Sequence, residues 1–109
     1  MLHLPRGCSN LTVIAAVLRV ELHIPDSHSL KEKRSVVRPV TEGLKKVASV
    51  SVAEVDFQES WQRCSLGIAL VARDVGCLDT LIEAVRRYLD DQRKAEVVNV
   101  RVTYLEDPS

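Results

Sequence analysis

This chain of 109 residues has no excess of charge of either sign, because it contains 15 Lys and Arg residues and 15 Asp and Glu residues. No whole-molecule field draws it to nucleic acid or membrane, so electrostatic recognition depends on where the charges lie. Long hydrophobic runs are missing as well, since the apolar run 11–18 is too short to cross a bilayer. This run leads into Arg19-Val20-Glu21 and not into a cleavage site, so we expect neither a membrane span nor a signal peptide.

Cysteines are few, and their spacing excludes two classes of site. Cys8, Cys64 and Cys77 form an odd set without C-x-x-C or Cys/His spacing. This pattern predicts neither a disulfide framework nor a zinc site, and it favours reduced thiols in the cytoplasm. No glycine-rich loop opens either predicted helix, and no metal-ligand spacing occurs. We therefore expect no cofactor and no metal.

The first regular segment is a strand. Residues 12–24 alternate with a two-residue period, and the even-numbered set from Ile14 to Ile24 is wholly apolar. We expect that set to face the core and the odd-numbered set, which turns polar toward its end, to face away. Pro25 cannot donate to a sheet ladder, so the strand ends there.

Ser29 begins a helix as the cap of an S-x-x-E motif. Its hydroxyl can accept from the Glu32 amide, and the Glu32 carboxylate can accept from the Ser29 N–H. The helix extends from Leu30 to about Val47. Pro39 within it costs roughly 3 kcal/mol and predicts a kink or break near Val36. The apolar stripe consists of Leu30, Val37, Val40, Leu44 and Val47.

Three further strands and a second helix complete the pattern of a single domain. Residues 50–57 alternate, and the likelier core face is Ser51, Ala53, Val55 and Phe57. Residues 62–73 form a strand with an inward set of Leu66, Ile68, Leu70 and Ala72. Asp74 caps the second helix, whose stripe is Leu78, Leu81, Ile82, Val85 and Leu89. Residues 96–105 form the last strand.

The order strand, helix, strand, strand, helix, strand predicts an α+β fold, the ferredoxin-like sandwich. Its four-stranded antiparallel sheet has the order 4-1-3-2, with both helices on one face. Two alternatives remain open: a different strand order, or edge strands that pair with a second chain. We expect the domain to cover residues 12–106, between a flexible extension at 1–11 and a tail at 107–109.

The sheet face opposite the helices should be half apolar, which favours burial in a homodimer. A platform for RNA is disfavoured because no aromatic residue lies on this predicted face. The residues expected at the dimer interface are Val13, Ala15, Val17, Gly67, Ala69 and Val71. The rest of the face consists of Arg19, Glu21, His23, Val50, Val52, Glu54, Asp56, Ser65, Val97, Asn99, Arg101 and Thr103.

Two clusters of charge are candidates for function. Lys31, Arg34, Arg38 and Lys45 share one ridge of the first helix and could contact phosphates, although such a ridge is more often solvated. Glu42 can partly neutralise Arg38 and Lys46, which are its neighbours along the helix. This supports the interpretation that the ridge is only solvated.

Glu54, Asp56 and His23 could perform acid–base chemistry. Cross-strand ion pairs with Arg19, Arg63 or Arg101 are the favoured interpretation, since no nucleophile stands beside a base, and we expect no enzyme. Trp61, the only tryptophan, either packs over a helix end or loop or anchors a partner.

The motifs IP-x-S-x-SLKEKR (24–34) and VSVAEVD-x-Q-x-x-WQR (50–63), with the last strand EVVNVRVTYL, resemble the small bacterial YlxP-like family, a domain of unknown function. The resemblance covers about Val13 to Leu105 and implies a ferredoxin-like fold. Family members are commonly encoded beside translation initiation factor two and ribosome-binding factor A, which implies a role in ribosome maturation or translation. Ala48-Ser49 stands where the family often has an aromatic residue. We therefore expect less apolar side-chain volume in the core where the first helix meets the second strand. The residues matching the motifs are Ser29, Lys31, Glu32, Lys33, Arg34, Glu54, Asp56, Gln58, Trp61, Gln62 and Arg63.

These observations predict a cytoplasmic, non-enzymatic protein that binds RNA or a ribosomal partner. The candidate binding residues are Lys31, Lys33, Arg34, Arg38, Lys45, Glu54, Asp56, Gln58, Trp61, Gln62 and Arg63. The alternative is a dimeric small-molecule-binding or regulatory module that uses a dimer cleft.

Overall fold

The computed structural model describes residues 13–106; the predicted extension 1–11 and tail 107–109 lie outside this range. Four strands form one antiparallel sheet of order β2-β3-β1-β4, and both helices pack on one of its faces. The predicted fold class and strand order are therefore confirmed. The elements are β1 (Ile14–His23), α1 (Leu30–Val47), β2 (Ser51–Asp56), β3 (Arg63–Ala72), α2 (Val75–Asp90) and β4 (Glu96–Glu106).

The core lies between the helices and the two central strands. Leu18 of β1 pairs with Ile68 of β3, and both side chains are fully buried. This alternation continues along both strands as predicted, because every second side chain points toward the helices. The helices complete the same core with Val40, Leu44, Leu78, Ile82, Val85 and Leu89.

Both helices begin at the predicted caps. The Ser29 hydroxyl accepts from the Glu32 amide at 3.0 Å, and the Asp74 carboxylate accepts from the Cys77 amide at 2.7 Å. The Glu32 carboxylate accepts from the His28 N–H, one residue earlier than expected. These bonds satisfy amides that the first helical turn leaves without partners.

Helix α1 continues without a break through Pro39, contrary to the break considered near Val36. Pro39 removes the hydrogen bond to the Ser35 carbonyl, but Ser35 is exposed, so water can reach that carbonyl. Val47 is 39% exposed and does not belong to the buried stripe. The predicted stripe omitted one residue of α1 that points inward. This residue is Lys33, which is 3% exposed.

The predicted faces of β2 are wrong for the residues before Asp56, which itself lies on the open face as predicted. A β-bulge at Val55 interrupts the alternation, so Glu54 pairs with Leu66 while Asp56 pairs with Ser65. Val52 and Glu54 consequently face the helices, and Val50 also packs against the core, whereas Val55 lies over Gly67 on the open face.

Two further corrections concern residues at strand ends. Phe57, expected in the core, lies beyond β2 with a φ of 63°, where the chain turns away from the sheet. A bulge in β4 pairs Val97 with buried Leu22, so Val97 packs against the core and does not join the open face. Alternation cannot reveal either change, since each depends on local backbone geometry.

Candidate functional site

The two sequence motifs meet at one end of the sheet. The Gln62 side-chain amide donates to the carbonyls of Pro25 and Ser27, each at 3.2 Å. The Ile24 N–H donates to the Gln62 carbonyl at 2.8 Å. These bonds join the β1–α1 connection to the β2–β3 connection, so Gln62 positions the loops and is only partly exposed.

Lys33 fixes the β2–β3 connection to α1. Its Nζ donates to the carbonyls of Phe57 at 2.7 Å and Ser60 at 2.9 Å, and it lies 3.4 Å from the Glu54 carboxylate. A buried ammonium requires such partners, and here three protein oxygens supply them. Lys33 therefore lies apart from the exposed basic ridge with which the first motif grouped it.

Cys64 shares the Glu54 carboxylate with Lys33. Its Sγ donates to Glu54 Oε2 at 3.2 Å, and its side chain is fully buried. Burial, reinforced by the Glu54 carboxylate, raises the pKa of the Cys64 thiol from 9.0 to about 12. The thiol therefore remains protonated and poorly nucleophilic at neutral pH. We call Lys33, Glu54 and Cys64 the buried cluster.

The group considered for acid–base chemistry is divided between the two faces of the sheet. Glu54 belongs to the buried cluster, whereas Asp56 on the open face pairs with Arg19 at 3.0 Å. His23 lies 3.6 Å from the Glu96 carboxylate. The predicted cross-strand ion pair is thus confirmed for Arg19 and Asp56, and the three candidate residues do not share one site.

The exposed basic ridge of α1 consists of Lys31, Arg34, Arg38 and Lys45. Within residues 13–106, none of Lys31, Arg34 and Arg38 lies within 4.0 Å of a carboxylate oxygen. Glu42 contacts Lys45 at 3.6 Å, in place of the expected pairs with Arg38 and Lys46. Three cations of the ridge therefore remain available to an anionic partner.

A groove of about 340 Å³ separates α1 from the edge strand β2. Its walls combine basic and apolar side chains, among them Arg34, Arg38, Val37 and Val52. Glu42 and Glu54 add negative charge to the same walls. The groove is large enough for a small ligand, and its polarity is mixed.

The β2–β3 connection presents an exposed aromatic residue. Trp61 is 54% exposed and directly follows Ser60, whose carbonyl the buried Lys33 holds. Gln58 is also exposed, and the Arg63 guanidinium stacks 4.0 Å from the centre of the Phe57 ring. Trp61 thus stands on a loop that is tied to α1, which agrees with the interpretation of Trp61 as an anchor for a partner.

The six residues expected at a dimer interface all lie on the open face of the sheet. Val13, Val17 and Val71 are 52%, 41% and 63% exposed. Gly67 and Ala15 are half-buried between neighbouring strands. Ser65, also expected on this face, is fully buried between Glu21 and Asp56 in the sheet register.

Neither a transmembrane helix nor a metal centre occurs in the described part of the chain. None of its helices combines the length and apolar character needed to span a membrane. No three His, Cys, Asp or Glu side chains among residues 13–106 come together in a group that could hold a metal ion.

Sequence reasoning did not find the buried cluster. Lys33 looked like one more cation in a basic segment, and Cys64 looked like a small apolar residue. A sequence signal did exist, because Lys33 occupies an inward position at the spacing of Val37, Val40 and Leu44. Glu54 could not be assigned to the same face without knowledge of the bulge at Val55.

By fold, this chain is a ferredoxin-like α+β protein with two helices over an antiparallel sheet. A de novo designed protein, Foldit4, matches it with a TM-score of 0.50 and 18% identity over 84% of this chain and 96% of that one. A designed protein with a ferredoxin fold, LFR1 1, gives a TM-score of 0.35 and 16% identity over 91% and 87% of the two chains. At 18% identity the likeness to Foldit4 concerns the fold alone.

A family model described as "Protein of unknown function (DUF503)" matches residues 15–102, and the chain belongs to this family. The chain is also 34% identical to "Uncharacterized protein YlxP" of Bacillus subtilis (strain 168) over 70 residues. These residues are 64% of this chain and 76% of that protein. The expected membership of the YlxP-like family is therefore confirmed.

Proposed function

We propose that this protein binds RNA without catalysing a reaction and acts in ribosome maturation or translation. The observation that carries the proposal is the set of three exposed cations, Lys31, Arg34 and Arg38, on one side of α1 without carboxylate partners among the described residues. Because the chain as a whole has no net charge, this segregation creates a local basic surface. The gene neighbourhood of the resembling family supports the same process.

Phosphate contacts would supply most of the affinity. Lysine and arginine that neutralise phosphates release condensed counterions, and this sequence-independent term dominates many RNA and DNA complexes. Trp61 adds an exposed ring at the same end of α1, joined to the helix through Lys33. A ring in this place suits stacking on an unpaired base, so single-stranded RNA is the favoured ligand.

Among residues 13–106, the candidates Glu54, Asp56 and His23 do not form one acid–base group, which supports the non-catalytic part of the proposal. Glu54 is engaged by Lys33 and Cys64 on one face of the sheet. Asp56 is paired with Arg19 on the other. A general base must reach its proton within hydrogen-bond distance, and these carboxylates do not converge on one substrate position.

A small-molecule-binding or regulatory module is the second candidate. The groove between α1 and β2, with a volume of about 340 Å³, favours it because this volume suits a small ligand. Arg34 and Arg38 line this groove as well as the basic ridge. A ligand site and an RNA site would therefore share residues but would differ in their dependence on salt.

A salt titration of binding to ribosomal RNA tests the proposal. We expect log K to fall steeply with log salt concentration, with a slope smaller by about 2 units in the triple variant Lys31→Ala, Arg34→Ala, Arg38→Ala. The matched control removes three cations from other elements: Arg73→Ala, Arg86→Ala, Arg101→Ala. No binding, affinity indifferent to salt, or equal weakening in both variants would contradict RNA binding through α1.

Copurification of the tagged full chain from its own cells would identify the partner. RNA that disappears in the α1 triple variant would agree with the proposal. Recovery of a ribosomal protein after nuclease treatment, with no loss in that variant, would instead indicate a protein partner.

A further inference from the structure

One end of the open sheet face carries a continuous apolar surface, which we call the apolar patch. Ala15 in the middle strand β1 pairs with Val71 of β3 on one side and Leu105 of β4 on the other. Val17 pairs with Ala69 of β3 on one side and with Thr103 of β4 on the other. The patch consists of Val13, Ala15, Val17, Ala69, Val71 and Leu105, and its four large members are 41–63% exposed.

The rest of the open face is polar but largely neutralised within the chain. Arg19 pairs with Asp56 at 3.0 Å, and Arg63 lies 3.9 Å from Glu21. His23 lies near Glu96 at the same end. Arg101 is exposed on this face and has no carboxylate oxygen within 4.0 Å among residues 13–106. Apart from this cation the face offers little free charge to a polyanion, and its aliphatic side chains offer no ring for base stacking.

We propose that the apolar patch binds a second copy of this chain, forming a symmetric dimer in which the two sheets pack face to face. When the two-fold axis lies between the two sheets and runs parallel to the strands, the apolar patch of one copy contacts the apolar patch of the other. The ion-paired ends then form the polar rim that protein interfaces normally have. Small residues at the centre, Ala15 and Ala69, allow the sheets to approach to about 10 Å.

The size and charge of the face suit this partner. Strands of 10, 6, 10 and 11 residues, spaced about 4.8 Å apart, give roughly 600 Å² in projection, and more as accessible area of side chains. Stable dimers bury about 800 Å² on each partner, so the whole face is sufficient and the patch alone is small. Two copies with a net charge of zero also do not repel one another.

Sedimentation equilibrium of the full chain, wild type and two variants, tests the dimer. Val71→Asp introduces a carboxylate into the patch, whereas Val75→Asp is the matched control at the first position of α2. Both valines are well exposed, at 63% and 52%, so neither change should unfold the monomer. Circular dichroism and a urea titration verify folding.

We expect the wild type and Val75→Asp to sediment at twice the chain mass of 12.2 kDa. Val71→Asp should weaken dimerisation at least about 100-fold, because each dimer would bury two unpaired carboxylates. A monomeric wild type up to millimolar concentration overturns the proposal, as does a dimer equally stable in both variants. Should deletion of residues 1–11 convert a monomer into a dimer, that segment would be the occupant of the patch and the proposal would be wrong.

Discussion

Replacing Lys33 by methionine tests the role of the buried cluster most directly. Methionine keeps much of the apolar volume of lysine but removes the ammonium group. The carbonyls of Phe57 and Ser60 lose donors at 2.7 and 2.9 Å, and the Glu54 carboxylate, 30% exposed, loses its cation. Breaking a buried pair costs about 3–5 kcal/mol, and water can reach the partly exposed loop, so we expect a loss near 3 kcal/mol.

Urea unfolding followed by Trp61 fluorescence measures this loss. With an m value of about 1.5 kcal/mol/M, the midpoint should fall by about 2 M urea. Lys31→Met is the matched control, since Lys31 lies in the same helical turn but is exposed; its effect should stay within about 0.5 kcal/mol.

A second substitution separates the loss of hydrogen bonds from the cost of the stranded carboxylate. Adding Glu54→Gln to Lys33→Met should recover part of the lost stability, because a neutral amide leaves no unpaired charge beside Cys64. A decrease of less than about 1 kcal/mol in the free energy of unfolding for Lys33→Met would refute the reasoning. The hydrogen bonds of the ammonium group would then only offset the free energy that its removal from water costs.

Four further predictions concern the cysteines, Gly43 and Asp74. Iodoacetamide at pH 8, followed by peptide mass spectrometry, should label exposed Cys77 and not buried Cys64. The pKa of Cys64 is raised from 9.0 to about 12, so its contribution to stability should be complete below pH 9 and decline as the pH rises toward 12; a Cys64→Ala variant should lack this decline. Gly43→Ala should lower the thermal midpoint, because its Cβ would clash with the Tyr88 side chain, yet raise it in a Tyr88→Ala background through better helix propensity. Asp74→Ala should cost about 1 kcal/mol in urea unfolding as a lost helix cap, and an unchanged midpoint would show that the cap is dispensable.

Features that depend on neighbouring residues were predictable from the sequence. The caps at Ser29 and Asp74 follow from hydrogen bonds within four residues, and the faces of β1 and β3 follow from unbroken alternation of apolar side chains. The number and order of these elements were enough to predict the ferredoxin-like topology, since short connections and right-handed crossovers leave few arrangements.

The site was predictable only in part. The basic ridge follows from helical spacing, and its exposure agrees with that expectation. The assignment of Glu54 to the open face was wrong because Val55 is an extra residue that breaks the alternation of β2. The residues before Val55 therefore face the side of the sheet opposite to the one expected from alternation with Asp56. Phe57 likewise left the core at a positive φ that hydrophobicity does not indicate.

The sequence by itself therefore determined which segments become helices and strands, where the helices begin, and how the layers stack, because short-range hydrogen bonds and hydrophobic periodicity decide these features. Only the tertiary structure decided that Lys33 is buried and that its ammonium joins Glu54 and the β2–β3 connection. The physical reason is that a buried charge needs partners distant in the chain, and their position depends on strand register and bulges.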